Sequence, residues 1–302
     1  MVLFKVSSGK AKPINFSKFK NEKELQSLVE KNLEEFFGLT FVETEFIVPP
    51  FRIDTVAFDN ESKALVIIEY KESEDYSVID QGYSYLNLLL SHKGDFQLAL
   101  ERKLNKRMEL DWSQSRILFI AKSFNTYQLG ALAQNLPFEL WKYVSYGDAL
   151  ISFEQVKPQF AQVSGLPISK LAQAVEREIK VYTLDDHLGK KGDVIKDIFE
   201  KLQQAILSIN PEIKEKVKKH YIAYEMKRNF TELVIQASAI KVYLDIPIGE
   251  LRDTAHLAED CSKLGHWATG DTRFKIRSGD EVPYAVELIR QAYERSLHLQ
   301  NA

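Results

Sequence analysis

The chain has 302 residues and only one cysteine, Cys261. A single thiol excludes an intrachain disulfide and any metal cluster built on cysteines. Histidine is also scarce, with six in the chain, and His266 has no second histidine at zinc-like spacing. No apolar run reaches the ~18 residues that a membrane-spanning helix requires. Residues 1–20 carry Lys5, Lys10, Lys12, Lys18 and Lys20 and lack the uninterrupted apolar core of a secretion signal. The expectation is a cytoplasmic protein. Basic excess is missing as well: 40 Lys+Arg stand against 43 Asp+Glu, for a net charge of −3. That balance gives no global electrostatic signature of a nucleic-acid partner. What the chain does have is 45% apolar residues, ample for ordinary cores, and a length that suggests two domains.

Two apolar runs carry the most information. Arg52-Ile53-Asp54-Thr55-Val56-Ala57-Phe58 and Val66-Ile67-Ile68-Glu69-Tyr70-Lys71 are rich in Val, Ile and Phe. They flank Asp59-Asn60-Glu61-Ser62-Lys63, so they read as a hairpin or near-hairpin. Side chains alternate faces along a strand, which points Glu69 and Lys71 the same way and Tyr70 the other. With Asp54 at similar height on the neighbouring strand, two carboxylates and one ammonium converge. An Asp, a Glu and a Lys this close are ordinary on a solvated surface; their placement here is not. Glu69 ends the continuous apolar run Ala64–Ile68, which reads as a strand buried on both faces. A charge there is costly unless paired or holding a metal. Hard oxygen ligands suit Mg²⁺ or Mn²⁺ better than zinc. The lysine would orient or help deprotonate a water and stabilise charge on a reacting phosphate.

These residues resemble the PD-(D/E)XK nuclease superfamily, in particular its RecB-like and NucS-like branch. The resemblance covers roughly residues 20 to 150. It rests on Asp54 in "RIDTVAFD", Glu69 and Lys71 in "VIIEYKE", and Gln81 with Tyr85 in "VIDQGYSYL". It implies an α/β, restriction-endonuclease-like mixed sheet flanked by helices. It also implies hydrolysis of phosphodiester bonds in nucleic acid, with DNA the expected substrate and Mg²⁺ or Mn²⁺ the metal. Asp54 and Glu69 would hold the metal with the Tyr70 carbonyl as a further ligand; Lys71, Gln81 and Tyr85 would complete the catalytic set. Such nucleases usually place another glutamate on the first helix, here "NEKELQSLVEKNLEEFFG". Glu24 is the choice, with Glu22 and Glu30 as competitors. One departure is Pro49-Pro50-Phe51-Arg52, where many relatives have glycine before the aspartate.

The rest of the text gives the organisation. Leu25, Leu28, Val29, Leu33, Phe36 and Phe37 form an apolar stripe stopped by Gly38. Gln81 and Tyr85 are i and i+4 on one helix face. Gly94-Asp95 reads as a break and N-cap before a basic helix bearing Arg102, Lys103, Lys106 and Arg107, the candidate nucleic-acid-binding residues. Arg116–Ala121, Phe138–Tyr146 and residues 149–156 read as strands, and Asn125 as the cap of a helix through Gln134. The expected division is a nuclease-like domain over 1–157, a linker over 158–192 with a short helix (Ser169–Glu178) and a short strand (Ile179–Thr183), and an α+β domain over 193–302. That last domain resembles a domain of unknown function that often follows nuclease-like domains and is sometimes labelled a predicted transport protein. The matching text is "HYIAYEMKRNF", "IKVYLDIP" and "KLGHWATGD". A soluble chain without a membrane span forms no pathway across a bilayer. Within it, Lys214, Lys216, Lys218, Lys219 and His220 form a second basic run. Gly265-His266-Trp267 with Tyr221, Tyr224 and Lys227 reads either as a base-stacking loop or as a packed turn. Two other classes compete with a nuclease: a non-catalytic module of the same fold that binds nucleic acid or a partner, and a small-ligand regulatory protein.

Overall fold

The computed structural model describes residues 3–71, 78–125, 128–129, 136–146, 150–156, 170–262 and 268–300. The chain divides into two compact units, 1–181 and 182–302. Among the described residues no helix is long and apolar enough to cross a membrane.

The first unit is built on a mixed sheet. Its strands are β3 (Phe16–Ser17), β4 (Thr40–Val48), β5 (Phe51–Asp59), β6 (Ala64–Lys71), β7 (Arg116–Ala121), β8 (Phe138–Tyr146) and β9 (Leu150–Gln155). The spatial order is β3-β8-β7-β6-β5-β4, with β9 on β8. β6, β7 and β8 run parallel, and the other pairs are antiparallel. The β5–β6 turn is organised by Asp59, whose carboxylate accepts from the amides of Glu61 and Ser62 and from Arg116. Arg116 also binds Glu139, so a near-buried ion triad ties the turn to β7 and β8. Ahead of this sheet, β1 (Leu3–Ser7) and β2 (Lys10–Ile14) form a separate two-stranded hairpin.

Both faces of the sheet are covered. Phe58, Leu65, Ile67 and Phe119 pack under α3 (Val78–Ser91), α4 (Lys93–Leu104) and α5 (Lys170–Glu178). On the other face Ala57, Val66, Ile68, Leu118 and Ile120 meet Leu25, Val29 and Leu33. Those last residues lie on α1 (Glu22–Lys31) and α2 (Leu33–Phe37), so the expected single helix is broken at Asn32. Asn32 takes a non-helical conformation and its amide turns back to the Val29 carbonyl. Gly38 closes α2 at φ 66°, the left-handed conformation that glycine adopts without strain.

Three local expectations need correction. α4 starts at Lys93, with only His92 between it and the end of α3, because the Asp95 and Phe96 amides donate to the His92 carbonyl. Gly94 is absorbed in the first turn while Phe96 buries against Phe46, ring centres 4.7 Å apart. α4 ends at Leu104, where Asn105 turns left-handed at φ 51°, so Lys106 and Arg107 follow the helix rather than belong to it. Ile179–Thr183 forms no strand. Its Lys180 amide makes one bond to the Ser113 carbonyl, and Thr183 caps α6 (Leu184–Leu188) through a reciprocal box with Asp186. Asn125 and Gln128 do exchange capping bonds, while the rest of that expected helix, to Gln134, lies outside the described residues.

The second unit is an antiparallel α+β domain. Its strands β10 (Lys214–Val217), β11 (Ile222–Glu225), β12 (Asn229–Ile235), β13 (Ile240–Leu244), β14 (Glu259–Asp260) and β15 (Thr272–Ile276) are ordered β10-β11-β12-β13-β15-β14. Leu233, Val242 and Phe274 on one face pack against Ile198, Phe199 and Leu202 of α7 (Asp193–Leu207). Leu288, Ile289 and Ala292 of α8 (Val282–Gln300) join the same core.

Candidate active site

The site arises where β5 and β6 part. Their ladder runs from Asp59 paired with Ala64 to Thr55 paired with Ile68, and beyond that point side chains replace it. The Asp54 amide donates to Glu69 Oε1 (3.2 Å), and the Tyr70 amide donates to Asp54 Oδ2 (3.2 Å). Each carboxylate therefore satisfies a backbone donor that the missing ladder would leave unpaired. β6 continues to pair with β7 through Lys71, which holds the second half of the site rigid. The pair sits on interior strands, not on a sheet-edge strand.

Lys71 lies two residues beyond Glu69 on the same face, its Nζ 3.7 Å from Glu69 Oε2. α3 completes the group. Gln81 Nε2 donates to Glu69 Oε2 (3.3 Å) and to the Tyr85 hydroxyl (3.0 Å), and that hydroxyl donates to the Arg52 carbonyl (3.3 Å). Gly82 lets the helix sit close: a Cβ there would lie 2.7 Å from the Phe138 ring. Asp54, Glu69, Lys71, Gln81 and Tyr85 thus form one connected set.

Charge in this set is out of balance. Burial, and then the negative charge of Asp54, push the Glu69 carboxyl up to about 8, against weaker opposing pulls from the Asp54 amide and Lys71. Asp54 is also raised by burial, opposed by the Tyr70 amide and Lys71. Burial and Glu69 raise the Tyr85 phenol. One lysine does not offset two carboxylates of which Glu69 is 2% exposed.

The opposite face carries a second network. Thr55 Oγ1 donates to Glu30 Oε1 (2.6 Å) and lies 3.3 Å from the Tyr70 hydroxyl. Gln26 Nε2 reaches Glu30 Oε1 (3.0 Å) and, at 2.8 Å, the Asp54 carbonyl. Gln26, 6% exposed, therefore fixes the Asp54 backbone from behind. It was missed in the sequence, where its only signal is an amide inside the apolar stripe of α1. Of the three first-helix glutamates, Glu24 is not brought to the carboxylate pair: it accepts from the Lys20 amide at the helix start (2.6 Å). Glu30 serves the opposite face, and Glu22 is the one whose charge reaches Asp54. Among the described residues, no three His, Cys, Asp or Glu are grouped to hold an ion.

The other candidates are dispersed. Arg102, Lys103, Lys106 and Arg107 are exposed. Lys103 Nζ stands 5.0 Å from the Phe41 ring, and Phe41 pairs with Ala57. That level is three residues along β5 from Asp54, about 10 Å by strand rise. In the second unit Lys216 pairs with Glu225 at 2.8 Å. Tyr224 is a core residue whose hydroxyl donates to Glu215 (2.8 Å), so its ring offers no stacking platform. Tyr221 is buried as well, and His266 and Trp267 lie outside the described residues.

The fold and site define a mixed α/β domain with two carboxylates, a lysine and a glutamine at a strand split. Residues 184–296 match the family model DUF5655, a domain of unknown function. The chain is 38% identical over 301 residues to an uncharacterized protein of Haemophilus influenzae, across 97% of this chain and 99% of that one, and it belongs to the same family. Among solved structures, a chain of an EndoMS–dsDNA2 complex aligns over 42% of this chain and 47% of its own, at 17% identity and TM-score 0.31. A repair endonuclease from Pyrococcus abyssi aligns over 47% and 49%, at 16% identity and TM-score 0.28. The chain spans about half the length of each of these two.

Proposed function

We propose that the first unit is a metal-dependent nuclease that hydrolyses phosphodiester bonds in DNA. The observation that carries this reading is the pair of hydrogen bonds at the strand split, from the Asp54 amide to Glu69 and from the Tyr70 amide to Asp54, with Lys71 and Gln81 converging on Glu69 Oε2. The residues fit a hard divalent cation: the donors are carboxylate oxygens, and burial beside Asp54 opposes the ionisation of Glu69 that a bound cation would favour. Asp54 and Glu69 would hold Mg²⁺ or Mn²⁺, with the Tyr70 carbonyl as a further ligand; two carboxylates leave the remaining positions to water, as Mg²⁺ prefers. When bound, such an ion polarises a phosphoryl oxygen and lowers the pKa of water.

The chain's own residues supply the rest. Lys71 stands in ion-pair range of Glu69, at 3.7 Å, and its three N–H donors can hold the attacking water or the charge that develops on phosphate oxygens. Gln81 and Tyr85 fix the Glu69 rotamer through the link to the Arg52 carbonyl, and Gln26 fixes the Asp54 backbone. Arg102, Lys103, Lys106 and Arg107 would track phosphates away from the reacting bond. The second unit would add binding or regulation. The test is incubation with labelled single-stranded, double-stranded and flapped DNA, with Mg²⁺, Mn²⁺ and EDTA in parallel, beside a Mn²⁺ titration. Cleavage confined to the metal lanes supports the reading. Metal binding without cleavage of any substrate would make the unit a non-catalytic binding module.

A further inference from the structure

We propose that the hairpin β1–β2 is a duplex-gripping arm that lays its lysine face on the phosphates of the DNA handled by the site; this rests on the nuclease reading above. Residues 1–21 hold five lysines and no acidic residue, which leaves a net charge of −8 for the remainder of the chain. Three of those lysines are on the hairpin. Cross-strand partners share a face, so Lys5 with Lys12, and Lys10 opposite Ser7, lie on one side. Phe4 with Pro13 and Val6 with Ala11 lie on the other. Ser8 and Gly9, at φ 50° and 75°, form the tight turn with positive φ at both positions that suits a two-residue hairpin.

The hairpin is anomalous as a free element. Residues 4–13 are all exposed, including Phe4 at 55% and Val6 at 69%. An isolated two-stranded ribbon is marginal in water, and directly opposed like charges such as Lys5 and Lys12 weaken it further. Among the described residues none of its lysines has an acidic partner. A polyanion lying along the Lys5–Lys12 row removes that repulsion and supplies the partner surface.

Placement agrees with this role. β2 leads through the single residue Asn15 into β3, where Phe16 pairs with Tyr146. Lys71 is level with Ala121, and Ala121 with Lys142, so the arm leaves the sheet four residues beyond the level of Lys71. That is about 13 Å along the strand direction from Lys71 and about 20 Å from Glu69, which is level with Phe119 and Leu140, and β3, where the arm joins, is three strands, about 14 Å, from β6. The arm and the carboxylates therefore share the rim formed by the C-terminal ends of β6, β7 and β8. A two-stranded ribbon fits the major groove of a duplex.

The experiment uses the full chain. Binding of a labelled 30-base-pair duplex is followed by anisotropy in EDTA across a salt series, for the wild type and for Lys5→Gln/Lys10→Gln/Lys12→Gln. Three lost phosphate contacts lower the slope of log K against log salt by about 2 to 3 and weaken binding at least tenfold at ~0.1 M salt, equally for unrelated sequences. Mn²⁺ binding at Asp54 and Glu69 stays unchanged and verifies that the variant is folded. An unchanged salt slope overturns the arm while leaving the nuclease reading intact. A wild type that binds no DNA overturns both. A Phe4→Ser/Val6→Ser chain that changes oligomeric state in sedimentation, with the lysine variant binding normally, assigns the hairpin to a contact between copies instead.

Discussion

Glu69→Gln gives the sharpest reading of the charge imbalance at the strand split. In the metal-free fold burial and Asp54 hold the Glu69 carboxyl at about 8, above its ordinary 4.5. A raised carboxyl binds protons more tightly when folded than when unfolded. Its contribution is therefore fully present below about pH 4.5 and is lost as the pH rises through 8. At about 1.4 kcal/mol per pKa unit the loss between pH 5 and 9 is several kcal/mol. Glutamine keeps the shape without the titration, so the variant escapes the loss. The assay is thermal unfolding of both chains in EDTA at pH 5 and pH 9. The midpoint difference, variant minus wild type, should grow by roughly 10 °C between the two, at about 2–4 °C per kcal/mol for a unit of this size. Adding Mn²⁺ at pH 9 should raise the wild-type midpoint and leave the variant where it is. Equal pH dependence in the two chains would refute the reasoning, because Glu69 would then not be the group that titrates.

Lys71→Ala should leave folding and metal binding intact while lowering turnover by roughly 10² to 10³, the scale for one charge-stabilising group; single-turnover cleavage at saturating Mn²⁺ measures it. Arg116→Met should destabilise the first unit by about 3 to 5 kcal/mol, since it strands the Asp59 and Glu139 carboxylates without their partner. Denaturant unfolding checks this, and a loss under ~1 kcal/mol would show that the triad is a solvated surface pair.

The five residues of the connected site were legible because the apolar run of β6 ends in Glu69, and a charge at the end of a buried strand is conspicuous. Their partners were not. Which glutamate of α1 matters depends on which sheet face the helix covers, a tertiary fact, and Glu24 was chosen although Asn21 and Lys20 already mark it as a helix-start residue. Gln26 and Thr55 read as incidental polar positions because their value lies in the Asp54 backbone they buttress. The pair of hydrogen bonds at the split is invisible in one dimension. Two further signals stand in the sequence: Thr183 with Asp186 spells a capping box inside the expected linker, and Asn105 is a left-handed helix stop before Lys106. The hairpin's turn, Ser8-Gly9, is equally readable, with Lys5, Lys10 and Lys12 around it.

The most direct test of the central claim is cleavage of labelled DNA by the full-length wild type and by Asp54→Ala, each with Mn²⁺ and each with EDTA. Product should form only from the wild type with Mn²⁺, and Asp54→Ala should lose Mn²⁺ binding. Cleavage that survives in Asp54→Ala, or persists in EDTA, would contradict it.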